Sequence, residues 1–92
     1  MTEKRVKEAL KKYLKSIGAY YYMPVPMGYG AATVDFLVCY KGKFYGIETK
    51  REGVHSTTVR QACVLREIAE AGGGVVLENS AELENVKRII QV

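Results

Sequence analysis

The strongest constraint on this chain is one continuous stretch, residues 33–50: Thr-Val-Asp-Phe-Leu-Val-Cys-Tyr, then Lys-Gly, then Lys-Phe-Tyr-Gly-Ile-Glu-Thr-Lys. The β-branched and aromatic content of 33–40 and 43–50 predicts two strands, and Lys41-Gly42 between them predicts a tight hairpin turn. A two-residue loop pairs Tyr40 with Lys43, and counting outward pairs 39 with 44 and 37 with 46. A symmetric four-residue loop keeps the same register. It sets Asp35 opposite Glu48, with Lys50 on the same sheet face, because strand side chains repeat every second residue.

Two carboxylates opposed across a sheet repel each other by a few tenths of a kcal/mol to ~1 kcal/mol. A hard divalent cation would offset this, since Mg²⁺ is typically held by one or two carboxylates while water and a substrate phosphate complete its octahedron. Lys50 would then stand beside that water and phosphate. The alternative is an exposed sheet face on which Asp35, Glu48 and Lys50 form solvated ion pairs of little energetic weight.

Ninety-two residues predict one domain, 1–92, with a core small enough to favour oligomerisation. A composition 48% hydrophobic and 26% charged sets aside the disordered and fibrous classes. No apolar run approaches the ~20 residues of a membrane span, and the basic, amphipathic start lacks the apolar region of a signal peptide. The expectation is a soluble, cytoplasmic protein. Cys39 and Cys63 have no metal-ligand spacing and sit among apolar residues, so both are expected to be buried, reduced thiols. A net charge of +4 modestly favours a polyanionic partner.

Along the chain, Val6, Ala9, Leu10, Tyr13, Leu14 and Ile17 recur at helical spacing over 2–17, and Gly18 ends the helix. Its other face carries Lys4, Lys7, Lys11, Lys12 and Lys15, which is either solvated or runs along a phosphate backbone. Glu3 extends the buried stripe; it either complements the helix dipole or supplies a third carboxylate to the metal site. Glu8 falls among the lysines as a surface ion-pair partner.

Residues 19–25 read as a strand disrupted at its end by Pro24 and Pro26. Residues 27–32, Met-Gly-Tyr-Gly-Ala-Ala, form a loop that is no phosphate-binding P-loop, lacking a Gly-Lys-Ser/Thr ending and a following helix. Tyr29 in it is a candidate for stacking on a base or packing into a partner subunit, against the reading of an isolated loop tyrosine that does neither. His55, the only histidine, has no companion ligand or nucleophile and reads as a solvated loop residue.

Ser56, Thr57 and Thr58 offer N-caps for a second helix to about Ala71, with Val59, Ala62, Cys63, Leu65, Ile68 and Ala69 inward. Gln61 borders that apolar face, although Thr58-x-x-Gln61 is also a capping box, which explains the glutamine locally. Val75, Val76 and Leu77 make a short buried strand. Asn79 or Ser80 is expected to cap a last helix with Leu83, Val86, Ile89 and Ile90 inward. The predicted order is α-β-β-β-α-β-α.

An Asp on one strand, Glu48-Thr49-Lys50 on its partner, a leading Glu3 and a following helix opened by Gln61 together resemble the PD-(D/E)xK nuclease superfamily. The Glu-Thr-Lys-Arg-Glu-Gly run and the spacing from Gln61 to Ala71-Gly72-Gly73 look like its stand-alone VRR-NUC domains of viruses and bacteria. The likeness spans essentially the whole chain. Val34 stands where the naming proline would be, a position that shapes strand entry and carries no chemistry.

The resemblance implies an α/β, restriction-endonuclease-like core with a central mixed sheet flanked by helices. It implies Mg²⁺ or Mn²⁺ held by Asp35, Glu48 and the Thr49 backbone carbonyl, with Glu3 as a further ligand through water. Lys50 would activate water and stabilise charge on the phosphate, with Gln61 and Glu3 as accessories. The implied activity is metal-dependent DNA endonuclease cleavage of branched DNA such as four-way (Holliday) junctions, by a homodimer, in a bacterium or phage-infected cell. Lys11, Lys12, Lys15, Tyr29 and Arg51 are the candidate DNA contacts. The competing reading is a non-catalytic nucleic-acid-binding module built on the lysine face; a third is a small interaction protein whose charges are decorative.

Overall fold

A computed structural model of the chain describes residues 2–25 and 33–91. Its first element is α1 (Glu3–Ser16), where the Thr2 side chain accepts from the Arg5 amide and Val6, Leu10 and Leu14 are buried. Gly18, at φ 78°, closes it. The Ala19 and Gly18 amides donate to the Leu14 and Lys15 carbonyls, a Schellman ending that glycine permits without strain.

Three strands follow, β1 (Tyr20–Tyr22), β2 (Phe36–Tyr40) and β3 (Lys43–Thr49). The hairpin has the two-residue loop, with Lys41 at φ 50° and Gly42 at φ 80°, the paired positive φ of a type I′ turn. The register is the one counted from sequence: Tyr40 pairs with Lys43, Cys39 with Phe44, Leu37 with Gly46. The chain then forms α2 (Val59–Glu70), β4 (Gly74–Glu78) and α3 (Glu84–Ile89). The sheet runs β1-β2-β3-β4, antiparallel except for the parallel β3–β4 pair that brackets α2, so it is mixed.

Alternation along the strands separates two faces. Phe36, Val38, Tyr40, Tyr45, Ile47 and Val76 point into a core closed by Leu10 and Leu14 of α1 and by Leu83, Val86 and Ile90 around α3. The other face carries Leu37, Cys39, Phe44, Gly46 and Glu48, and α2 covers only its β3–β4 half. Gly46 permits that docking: a Cβ there would lie 2.5 Å from Ile68 Cδ1.

Several expectations need correction on this point. The inward stripe of α2 is Gln61, Val64, Leu65 and Ile68, each only half-buried, whereas Val59 is 81% exposed and Ala62, Cys63 and Ala69 also face outward. Cys39 and Cys63 are both exposed free thiols, because β2 lies beyond the reach of α2 and Cys63 is on its outer side.

The last helix also begins later than expected. Asn79 and Ser80 do not cap it; their amides donate to Oε2 of the fully buried Glu78, while the Val86 amide donates to its Oε1. The chain wraps this carboxylate first, and α3 starts after Leu83, which adopts a left-handed φ of 58° and makes no side-chain cap. Ile89 is 44% exposed rather than inward. Among the described residues, no helix is long and apolar enough to cross a membrane.

Candidate active site

At the end of the β2–β3 hairpin remote from the turn, the backbone delivers Asp35 just before β2, Glu48 and Thr49 at the end of β3, and Lys50 just after it. The Lys50 amide donates to the Glu78 carbonyl at 2.8 Å, which continues the β3–β4 pairing and holds the lysine's backbone. The Asp35 amide donates to Glu48 Oε1 at 3.1 Å. In return, Asp35 Oδ2 accepts from the Thr49 amide at 3.0 Å and the Thr49 hydroxyl at 2.7 Å. Each acid thus grips the backbone of the opposite strand. The repulsion expected between them is offset in part by these donors, so it does not by itself demand a cation.

Gln61 completes the cluster from α2. Its Nε2 donates to Glu48 Oε2, and its Oε1 accepts from Lys50 Nζ at 3.1 Å. The capping box is present as well, with the Gln61 amide on Thr58 Oγ1 and the Thr58 amide on Gln61 Oε1, both at 3.1 Å. The local and the functional readings of Gln61 are therefore one geometry, in which the cap fixes the side chain that bridges Glu48 and Lys50. Lys50 Nζ lies 3.4 Å from Glu48 Oε2.

Glu48 is 1% exposed. Burial, with the Asp35 charge second, pushes its carboxyl up from 4.5 to about 6, against the pull of Lys50 and the Asp35 amide. A cation placed beside this carboxylate would favour its charged form and act against the effect of burial.

Sequence reasoning missed Lys7. It belongs to the lysine face read as either solvated or phosphate-facing, yet its Nζ lies 3.7 Å from Asp35 Oδ1, with the side chain about one-third exposed. The available signal was Glu3: residues four apart share a helix face, so any argument aiming Glu3 at the sheet aims Lys7 there too. Glu3 itself is half-buried in the first turn of α1. Among the described residues no group of three His, Cys, Asp or Glu side chains gathers tightly enough to hold a metal, so Glu3 does not join Asp35 and Glu48 in one.

The candidate DNA contacts are dispersed. Lys11 pairs with Glu8 at 3.4 Å. Lys12, roughly 140° round α1 from Lys7, lines an open cleft of about 340 Å³ with Lys4, Arg5, Glu8, Ala9 and Ala81. Lys15 and Arg51 are exposed. Tyr29 lies outside the described residues. His55 is exposed and its Nδ1 lies 3.2 Å from Asn79 Nδ2.

The donor set suits a hard divalent cation. Two carboxylates supply anionic oxygen with no thiolate or imidazole beside them, and two are enough for an ion that retains most of its water.

No family model matches this sequence, and no curated protein matches it. A solved structure described as a VRR_NUC domain is similar in fold, with a TM-score of 0.74 at 19% identity, covering 89% of this chain and 89% of that one. The α-β-β-β-α-β-α order and four-stranded mixed sheet are thus a VRR_NUC, restriction-endonuclease-like arrangement.

Proposed function

We propose that this VRR_NUC-fold chain is a divalent-cation-dependent endonuclease of the PD-(D/E)xK type, hydrolysing phosphodiester bonds in DNA. The observation that carries it is the convergence of Asp35, Glu48, Lys50 and Gln61, from three separate elements, on one sheet end. A binding module has no need of a carboxylate buried beside another carboxylate.

In this reading Asp35 and Glu48 hold Mg²⁺ or Mn²⁺, with the Thr49 carbonyl as a further ligand and Glu3 acting at a distance through water. When bound, the cation polarises the phosphate and lowers the pKa of attacking water. Thr49 keeps Asp35 oriented through two hydrogen bonds to Oδ2, which leaves Oδ1, 3.7 Å from Lys7 Nζ, without those donors. Gln61 performs the same service for Glu48 and also fixes Lys50 by accepting from its ammonium. Lys50, only 18% exposed, then donates to the phosphate oxygen on which charge develops, a preorganised contact of the kind typically worth ~10²–10³ in rate.

The finer proposal is a homodimer acting on branched DNA, since two sites are needed to cut two strands of a four-way junction symmetrically. An exposed row across the sheet supports it: Tyr20, Cys39 and Phe44 lie side by side on β1, β2 and β3, with exposed Tyr22 two residues along β1. Lys12, Lys15 and Arg51 are the exposed cations available to flanking phosphates. The whole chain, 1–92, is read as one nuclease domain working in the cytoplasm of a bacterium or phage-infected cell.

The test is incubation of the purified protein with a labelled four-way junction and a matching linear duplex, in Mg²⁺, in Mn²⁺ and in chelator. Metal-dependent cleavage that falls ~100-fold or more in Lys50→Ala is the expected result. Absence of cleavage in both metals refutes the nuclease reading; binding without cutting would favour the non-catalytic module. Symmetric nicks confined to the junction are expected of the dimer.

A further inference from the structure

Two lysines reach the paired carboxylates, and they are held differently. Lys50 is gripped by a hydrogen bond from its ammonium to Gln61 at 3.1 Å and sits 3.4 Å from Glu48 Oε2. Lys7 makes one longer ion pair, 3.7 Å to Asp35 Oδ1, from the flank of α1, and its side chain is 31% exposed. Asp35 Oδ2 is already engaged by two donors of Thr49, so Oδ1 is the oxygen on which Asp35 can accept a cation of any kind.

We infer that Lys7 and a divalent cation compete for Asp35 Oδ1, and that Lys7, once displaced, contacts a backbone phosphate of the nucleic acid. The inference rests on the proposed function and adds a residue to it. Both cationic species cannot share one carboxylate oxygen at close range without mutual repulsion. Displacement is inexpensive because a single, partly exposed ion pair is weak, and the flexible four-carbon stem of lysine lets its ammonium relocate from a fixed helix. The ammonium stays beside the site through Val6, whose complete burial anchors that turn of α1 against the sheet. Lys7 is thus a competitor of the cation at Asp35 and a binding residue for the phosphate.

The experiment uses the full chain in three forms, wild type, Lys7→Gln and Lys7→Arg, each shown by thermal melting to be folded. Mn²⁺ alone is titrated calorimetrically without DNA. Removing the competitor should tighten Mn²⁺ binding about two- to fivefold in Lys7→Gln, with Lys7→Arg returning toward wild type. Duplex binding is then followed against salt with Ca²⁺ in place of Mn²⁺. Lys7→Gln should bind more weakly, with the slope of log K against log salt smaller by about one phosphate contact.

Unchanged Mn²⁺ affinity in Lys7→Gln, in a protein that does bind Mn²⁺ through Asp35, would overturn this inference and leave the proposed function standing. An unchanged salt slope would overturn the phosphate contact. If the wild type takes up no Mn²⁺, and Asp35→Asn behaves identically, the proposed function falls and the inference falls with it.

Discussion

Glu48 offers a sharp test because its environment links charge, stability and cation binding. Its carboxyl is raised from 4.5 to about 6, mainly by burial and then by Asp35. Between those values the folded protein retains a proton that the unfolded chain has released. Stability must therefore fall as pH rises through that window, with the full contribution present below the unfolded value and lost above about 6. At 1.36 kcal/mol per pK unit the loss is about 2 kcal/mol.

Urea unfolding of wild type and Glu48→Gln, in chelator and at intervals from about pH 4 to about pH 8, isolates this contribution. The readout is the pH slope rather than absolute stability, since the new amide would point a donor at Gln61 Nε2 and surrender the Lys50 pair. Wild type should lose about 2 kcal/mol more than Glu48→Gln across the window, the other titrating groups contributing equally to both. Adding Mn²⁺ should restore wild-type stability at neutral pH by mass action and lose that effect as Glu48 protonates in acid. Parallel pH profiles for the two proteins in chelator would refute the claim that burial beside Asp35 raises the Glu48 carboxyl.

Two further outcomes follow from the packing around it. Gln61→Glu can still accept from the Thr58 amide, but it replaces the donor to Glu48 Oε2 with a third carboxylate; cleavage should drop by ~10²-fold or more in an assay where helix content by circular dichroism is unchanged. Gly46→Ala places a Cβ 2.5 Å from Ile68 Cδ1 and should cost about 1–3 kcal/mol in urea unfolding, relieved when Ile68→Val is added.

The hairpin and its register were legible because they depend on near neighbours. Lys41-Gly42 can accept the paired positive φ of a type I′ turn, and once that loop is two residues long, every pairing back to Leu37 with Gly46 follows by counting. Helix α1 was legible for a similar reason, its stripe of Val6, Leu10 and Leu14 matching the burial found and Gly18 forming the expected stop. Gln61 was legible through its capping box, whose geometry also turns its amide toward Glu48.

The failures share a cause. Val59, Ala62, Cys63 and Ala69 are apolar enough to be buried, yet α2 presents Gln61, Val64, Leu65 and Ile68 to the sheet, following the cleft opened by Gly46. Cys39 alternates correctly along β2 but lies on a face that no described helix covers. Glu78 gave no local sign that three backbone amides would fold around it and delay α3.

By itself, then, the sequence determined the order of the elements, the hairpin register and the placing of Asp35, Glu48 and Lys50 at one end of the hairpin, since turn chemistry and side-chain periodicity act over a few residues. The tertiary structure alone decided which apolar face is covered, which carboxylate is buried, and that Lys7 stands against Asp35. Those outcomes depend on how helices sit against the sheet, and packing between distant segments is set by the shapes of both partners, which neither segment encodes alone.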